Sequence, residues 1–285
     1  MTKAVINSRA KRGSAFGQDI IVTYVSNDRS FAQSYLNVNA FPSYVRKEVI
    51  SSATRFAIFH NQIKLLKYQL KEDRILFDQF FNDPKMELAP VLMKKAKEDN
   101  YLAKFDGIEF LTYIQNLFYS LKSFLDVYTL LLTRLIKPDQ TNSFKRKNVD
   151  GHLVSGGAFI RWLRKSAPKS YNNARVLADF VLKETTEWIT EAVDHRDIIS
   201  HYSDIDDINC LCVELNKIES PMAPIYEPMK VSDPVMPDGT GVLKYAQLLG
   251  GRLRNYVIGT LAMFDNIEHE LLSSPDFDVD QAIWP

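Results

Sequence analysis

Cysteine is nearly absent from this chain: Cys210 and Cys212 are the only two among 285 residues. A disulfide-dense scaffold is thereby excluded. In an extended stretch a Cys-x-Cys pair points both side chains to one face. Two readings remain, a pair of metal ligands or a pair of small hydrophobes in a reduced compartment. A surplus of one charge is also missing. Lys and Arg total 35, Asp and Glu total 35, and the formal net charge is zero. Whole-protein electrostatics therefore do not announce a nucleic-acid binder, although a neutral total is compatible with a basic patch on one face. Long apolar runs are missing too. The most apolar stretch, Leu117 to Ile136, is broken by Lys122, Asp126 and Arg134, which would be costly against lipid. No transmembrane segment is expected. The N-terminal Lys3, Arg9, Lys11 and Arg12 precede no apolar core, so no secretory signal is expected either. The chain reads as a cytoplasmic protein.

Ready-made catalytic motifs are equally scarce. There is no His-Glu-x-x-His, no P-loop and no Gly-x-Ser-x-Gly,. Gly156-Gly157 is not a dinucleotide fingerprint, because no Gly-x-Gly-x-x-Gly follows a strand,. His60, His152, His195, His201 and His269 are scattered without ligand spacing, so neither a metal nor a cofactor is expected.

What the chain does have is helical periodicity. Pro42 suits the start of a helix, and from Ser43 to about Phe81 there is no Pro or Gly, with Val45, Val49, Phe56, Phe59, Ile63, Leu66, Leu70 and Phe77 at helical spacing,. A minor helix is expected over Leu88 to Asp99. The strongest pattern follows Asp106: Leu111, Ile114, Phe118, Leu121, Leu125, Tyr128, Leu132 and Leu135, with a second line beside it, until Pro138 stops it,. A polar, basic connection over residues 138 to 155 leads to a short helix around Phe159 to Leu163. A third long helix spans about Tyr171 to Ser200, and a last one about Gly241 to Leu272. Between them Ile208 to Leu215 and Tyr226 to Val231 read as two short strands in a Pro-rich region,. A β-like run also stands at Ile20 to Val25. The expected fold is mainly all-α, an antiparallel up-and-down helical bundle with a small β-hairpin before the last long helix. Residues 1–41 are expected as an N-terminal extension and 42–285 as the domain.

The third helix ends in Arg196-Asp197-Ile198-Ile199-Ser200-His201. Arg196 falls in line with Leu182 and Ile189 at seven-residue steps, so it extends the edge of the apolar stripe. A guanidinium there wants an anionic partner. Asp194, Asp197 and His201 share the polar face, and Asp197 at one turn before His201 could hold the imidazole in one tautomer. Arg196 and His201 stand about 140° apart around the axis, so the pair converges only if the helix ends between them or another chain supplies a facing wall. These residue types suit metal-free RNA cleavage. A base must take the ribose 2′-OH proton, and a cation must meet the charge building on the phosphorane. A capping Arg beside a surface Asp–His pair would explain the same residues.

The segment Trp188-Ile189 followed by Asp194-His195-Arg196-Asp197-Ile198-Ile199-Ser200-His201-Tyr202 resembles the motif helix of the HEPN superfamily. Leu117-Phe118-Tyr119 and Leu125-Asp126 resemble its preceding long helix. That family is an up-and-down bundle with Arg, four to six residues, then His near the end of its third main helix, and usually a polar residue right after the Arg. Asp197 stands in that place, where Asn is commoner, and adds negative charge near a phosphate site. The resemblance covers roughly residues 45 to 272, and its specific part is the short motif. The hairpin before the last helix is similar to that of uncharacterised bacterial members.

The resemblance implies metal-independent endoribonuclease activity in a homodimer whose two motifs face each other, in toxin–antitoxin, phage-defence or RNA-processing roles. It makes His201 base or acid, puts Arg196 on the scissile phosphate and gives Asp197 an orienting role. RNA is the implied partner, and a toxin–antitoxin pair would add a nucleotidyltransferase-like antitoxin. Members that have lost activity serve as protein-interaction or nucleotide-binding modules, which is the alternative here. Arg161, Arg164 and Lys165 are candidate RNA contacts, within a basic set that also holds Lys145, Arg146, Lys147, Lys169 and Arg175. An ordinary solvated surface would also explain that set. Tyr202 is a candidate for stacking on a base.

Overall fold

Pro42, at φ −55° and ψ 143°, leads into a 3₁₀ turn at Ser43–Val45, and Val45 N donates back to the Pro42 carbonyl at 3.1 Å. From there the long helix α1 runs over Arg46–Asn82. The computed structural model describes residues 41–82, 102–105, 108–202, 211–218, 225–232 and 234–264. The expected run at Ile20 to Val25, the minor helix at Leu88 to Asp99, Cys210 and the last helix beyond Phe264 lie outside the described residues. In chain order the remaining elements are β1 (Leu102–Phe105), α2 (Ile108–Ile136), β2 (Lys147–Val149), β3 (His152–Val154), α3 (Gly157–Lys165) and α4 (Ala174–Glu184). A π-helical turn (Thr185–Ile189), α5 (Thr190–Tyr202), β4 (Leu211–Ile218), β5 (Ile225–Ser232) and α6 (Val242–Leu261) follow. The described chain is mainly helical. Among the described residues no helix is long and apolar enough to cross a membrane.

The described residues fall into two compact units. One takes residues up to Gln62, Asn116–Asp197 and Leu249 onward; the other takes Ile63–Gln115 and Ile198–Leu248. The second holds a three-stranded antiparallel sheet in the order β1-β4-β5. Its strands β4 and β5 answer to the two expected between the third and last long helices, while β1 was not expected. The register slips between Glu214 and Leu215, so that Glu214 faces Lys230 and Leu215 faces Pro228. Proline lacks the N–H that a central strand needs, and here it sits at an irregularity on an edge strand.

In the first unit the core is a chain of aromatic rings. Phe56 on α1 meets Phe124 on α2 edge-on at 5.6 Å, Phe124 stacks on Tyr128 at 5.1 Å, and Tyr128 meets Tyr256 on α6 at 6.0 Å. Tyr256 in turn stacks on Phe180 of α4 at 6.2 Å. Tyr128 is fully buried. Its hydroxyl lies 2.6 Å from Thr260 Oγ1 and donates to the Val257 carbonyl at 3.2 Å. Burial pushes the phenol pKa of Tyr128 and of Tyr256 upward, which keeps both rings neutral. At the flank of this core, Arg134 of α2 pairs with the buried Glu48 of α1, and Arg55 of α1 donates to Ser123 of α2. The two pairings run in opposite order along the chain, so these stretches of α1 and α2 are antiparallel.

The last helix ends earlier than its apolar pattern predicts. After Leu261 the chain turns, with Phe264 N donating to the Leu261 carbonyl at 3.0 Å. The Met263 carbonyl accepts from Asn173 Nδ2 at 2.8 Å and from Tyr171 Oη at 3.4 Å, while Phe264 stacks on Tyr171 at 5.3 Å. Side chains of the segment before α4 thus bond the carbonyl just past the end of the helix.

The polar contact inside the aromatic chain sets a first test. Tyr128→Phe is expected to lower stability by about 1–2 kcal/mol, since it leaves the ring packing intact and removes one buried hydroxyl. Urea unfolding measures this, and in a cycle with Thr260→Val the two losses should overlap. Strictly additive losses would disconnect the two hydroxyls.

Candidate functional site

The segment bearing the motif is one continuous helical rod with a wide turn in its middle. Val181, Thr185, Ile189 and Val193 are all buried and stand four residues apart. In a plain α-helix each such step drifts by about 40°, and the line would leave the core within three steps. The π-turn absorbs the drift. Thr190 N donates to the Thr185 carbonyl, five residues back,. Threonine hydroxyls add bonds to carbonyls just before this turn: Thr185 Oγ1 donates to Val181 O at 2.6 Å, and Thr186 Oγ1 to Leu182 O at 2.9 Å. Trp188 Nε1 donates to Glu184 Oε2 at 2.7 Å. The expected line through Leu182, Ile189 and Arg196 is therefore broken. Leu182 turns to a shallow cleft that it lines with Val149, Asp150 and His152, while Arg196 follows Ala192 and Val193 at the edge of the buried face.

There Arg196 is held on two sides. Its Nη1 donates to Asp197 Oδ1 at 2.9 Å, and its guanidinium carbon lies 5.2 Å from the ring centre of Tyr119 on α2. Side-chain exposure is 31% for Arg196 and 36% for Asp197, so the pair is wet on one side. The preceding residue repeats the arrangement: His195 lies 5.4 Å from the ring of Phe118, and its Nε2 is 3.8 Å from Glu191 Oε1. Two neighbours on α5 thus seat against two neighbours on α2. His201 and Tyr202 belong to the last turn of α5; their side chains lie outside the described residues.

On the other side of the rod lies a hairpin where a plain polar connection was expected. β2 and β3 pair antiparallel, Lys147 with Val154 and Val149 with His152. Asp150 and Gly151 join them at φ 53° and 91°, the positive-φ pair of a two-residue hairpin turn. The hairpin lies along the rod. His152 and Thr186 line one cleft, Ser155 N donates to Thr190 Oγ1 at 3.3 Å, and Arg146 pairs with Asp194. Asp194 was expected on an open polar face with Asp197 and His201; instead a cation from outside the helix engages it.

The candidate contacts on α3 are placed differently. Arg161 and Lys165 are exposed. Arg164 forks between two carboxylates, Nη1 to Asp150 Oδ2 and Nη2 to Asp179 Oδ1, both at 2.8 Å. Hydrogen bonds to Asp150, then to Asp179, raise its pKa further. This fork ties the hairpin turn to α3 and α4 and borders a groove of about 740 Å³ that Lys169, Arg175 and Asn172 also line. Arg164 thus engages Asp150 and Asp179, whereas Arg196 engages Asp197 and Tyr119. Among the described residues no group of three or more His, Cys, Asp or Glu could hold a metal.

No family model, curated protein or solved structure matches the chain.

Sequence reasoning missed Tyr119 as a partner of Arg196, and no spacing rule would have supplied it, because the contact joins two helices. It also missed the β2–β3 hairpin, although Asp150-Gly151 between short alternating stretches was the signal. The Tyr119–Arg196 contact generates a second test. A double-mutant cycle of Tyr119→Leu with Arg196→Met should return a coupling of about 0.5–1 kcal/mol, as for a half-exposed cation over an aromatic face. Tyr119→Phe should retain it. No measurable coupling would reduce the ring to a bystander.

Proposed function

We propose that this chain is a HEPN-type, metal-independent endoribonuclease built on an antiparallel up-and-down helical bundle. The supporting observation is the seat of Arg196: a guanidinium at the edge of the buried face, over the Tyr119 ring, held by Asp197 and open to water on one side. A cation in that setting meets a phosphate in a bidentate fork. In this reading Arg196 stabilises the charge developing on the scissile phosphate, and Asp197 orients the guanidinium. His201, on the same helix α5, takes the 2′-OH proton or returns one to the leaving oxygen. The cut leaves a 2′,3′-cyclic phosphate and a 5′-hydroxyl, with no metal in the step. A second copy of the chain supplies the opposite wall of the cleft, and toxin or phage-defence roles fit such an activity.

The same Arg196–Asp197 pair also favours a second reading, in which the carboxylate satisfies the cation and the chain is a non-catalytic module that binds a protein or nucleotide partner. Incubating the purified chain with single-stranded RNA in EDTA separates the two. The nuclease reading expects cleavage with cyclic-phosphate ends, a drop of at least about 10²-fold in His201→Ala and a comparable loss in Arg196→Ala, both with unchanged circular dichroism. Cleavage that survives His201→Ala rejects the assignment, and no cleavage by the wild-type chain favours the binding module.

A further inference from the structure

The basic run Lys145-Arg146-Lys147 is fastened directly to the motif helix, through Arg146 and Asp194. Four observations fix its backbone. Phe144, just before it, is buried. Ala158 N, in the first turn of α3, donates to the Lys145 carbonyl at 3.2 Å. Gly157 packs so closely on the Lys147 backbone that a Cβ there would collide with it, which is the reason for a glycine at that position. Arg146 pairs with Asp194 and lies 3.4 Å from Ser155 Oγ through its Nε. Asp194 stands one turn before Asp197 on the helix that carries Arg196,.

The outcome is a short anchored strand with its two outer cations exposed. Arg146 is used up by the anchor, while Lys145 and Lys147 are both exposed. Their Cα atoms are at most about 7 Å apart, by the reach of an extended chain, on the scale of neighbouring phosphates in a single strand. The electrostatics agree with an anionic ligand. On this stretch of α5 Asp194 pairs with Arg146 and Asp197 with Arg196, which lessens their repulsion of an anionic ligand, while Glu191 remains exposed.

We propose that Lys145 and Lys147 form a phosphate rail that binds the backbone of a single-stranded nucleic acid beside the motif helix, with Arg146 as its anchor. This goes beyond the nuclease reading and rests on it only for the choice of RNA as ligand. The rail contacts phosphates and not bases, so it carries affinity without sequence preference.

The test uses the full chain and a fluorescein-labelled 2′-O-methyl oligouridylate, which has no 2′-hydroxyl to attack and stays intact. Anisotropy titrations at several salt concentrations give the affinity and its salt slope. Lys145→Ala/Lys147→Ala should bind about tenfold more weakly at moderate salt, with the slope reduced by about 1.4, from ~0.7 per single-strand phosphate contact. Both lysines are exposed, so the fold should persist, and the double Arg variant should recover both values. Removing the same charge at exposed Lys71 and Lys244 should leave them near the wild type. An unchanged slope in the Ala pair, an equal loss in the Lys71/Lys244 pair, or no binding by the wild type overturns the rail. So does a poly-glutamate peptide that competes as well as the strand, since an acidic protein would then be the better ligand. Binding through the lysines without cleavage of ordinary RNA sinks the nuclease reading and keeps the rail. Cleavage with binding indifferent to the lysines does the reverse.

Discussion

The wide turn at Thr185–Ile189 fixes the phase on which the rest of the site depends. Residues that must stay in the core recur every four positions from Val181 to Val193, a spacing that an unbroken α-helix carries around its axis. Taking up the surplus in one π-turn keeps that line inward on both sides of the break. It also sets the opposite line. Asp179, Leu182, Thr186, Thr190 and Asp194 all meet the hairpin, its flanking residues or α3. Without the turn, the part of the rod beyond Ile189 would be rotated relative to the part before it, and the hairpin could not follow both. Arg196 reaches its place beside Tyr119 by the same correction. Hydroxyls of Thr185 and Thr186 add bonds to the Val181 and Leu182 carbonyls beside the π-turn.

Charge is organised by the same elements. Arg146, Arg164 and Arg196 each meet at least one aspartate, and in the first two cases the pair joins separate elements of the chain. Guanidinium suits this role because its fork meets two oxygens in fixed directions. Arg164 uses both arms, one on the hairpin turn and one on α4. The exposed lysines on either side of Arg146 make no comparable commitment to the fold. In a chain of zero net charge, these cations divide between two roles, with the arginines fastening elements together and the lysines remaining at the surface.

The long helices were legible because their apolar periodicity is strong and interrupted by Pro42, Pro138 and Pro168. β4 and β5 were legible from the composition of a Pro-rich stretch. β1, at four residues, is too short for alternation to mark it. The hairpin β2–β3 hid in a polar segment whose strands hold three residues each, where the turn dipeptide is a better guide than the strands. The π-turn was invisible for a different reason: seven-residue steps placed Leu182, Ile189 and Arg196 on one line, and only tertiary packing reveals that the rod is rephased between the first two. Arg196 was expected at the edge from its line with Leu182 and Ile189; it does stand at the edge of the buried face, but after Ala192 and Val193, beyond the break. Its partner Tyr119 was not legible, because no local rule relates α2 to α5.

The Arg196–Asp197 pair raises the question of whether a satisfied cation can still receive a phosphate, and magnitudes decide it. A half-exposed pair between neighbouring residues is worth about 0–1 kcal/mol. A charge-assisted hydrogen bond is worth about 1.5–3 kcal/mol, and a phosphate offers two of them to one guanidinium. Displacing the Asp197 carboxylate, or sharing Nη1 with it, is therefore a small cost beside the bonds that the phosphate forms. The Tyr119 ring, 5.2 Å from the guanidinium carbon, attracts the cation without taking one of its N–H donors. Arg164 stands under the opposite balance: releasing it would break two bonds that tie the hairpin turn to α3 and α4. Of the two arginines, Arg164 bonds two separate elements, whereas the carboxylate partner of Arg196 is its own sequence neighbour.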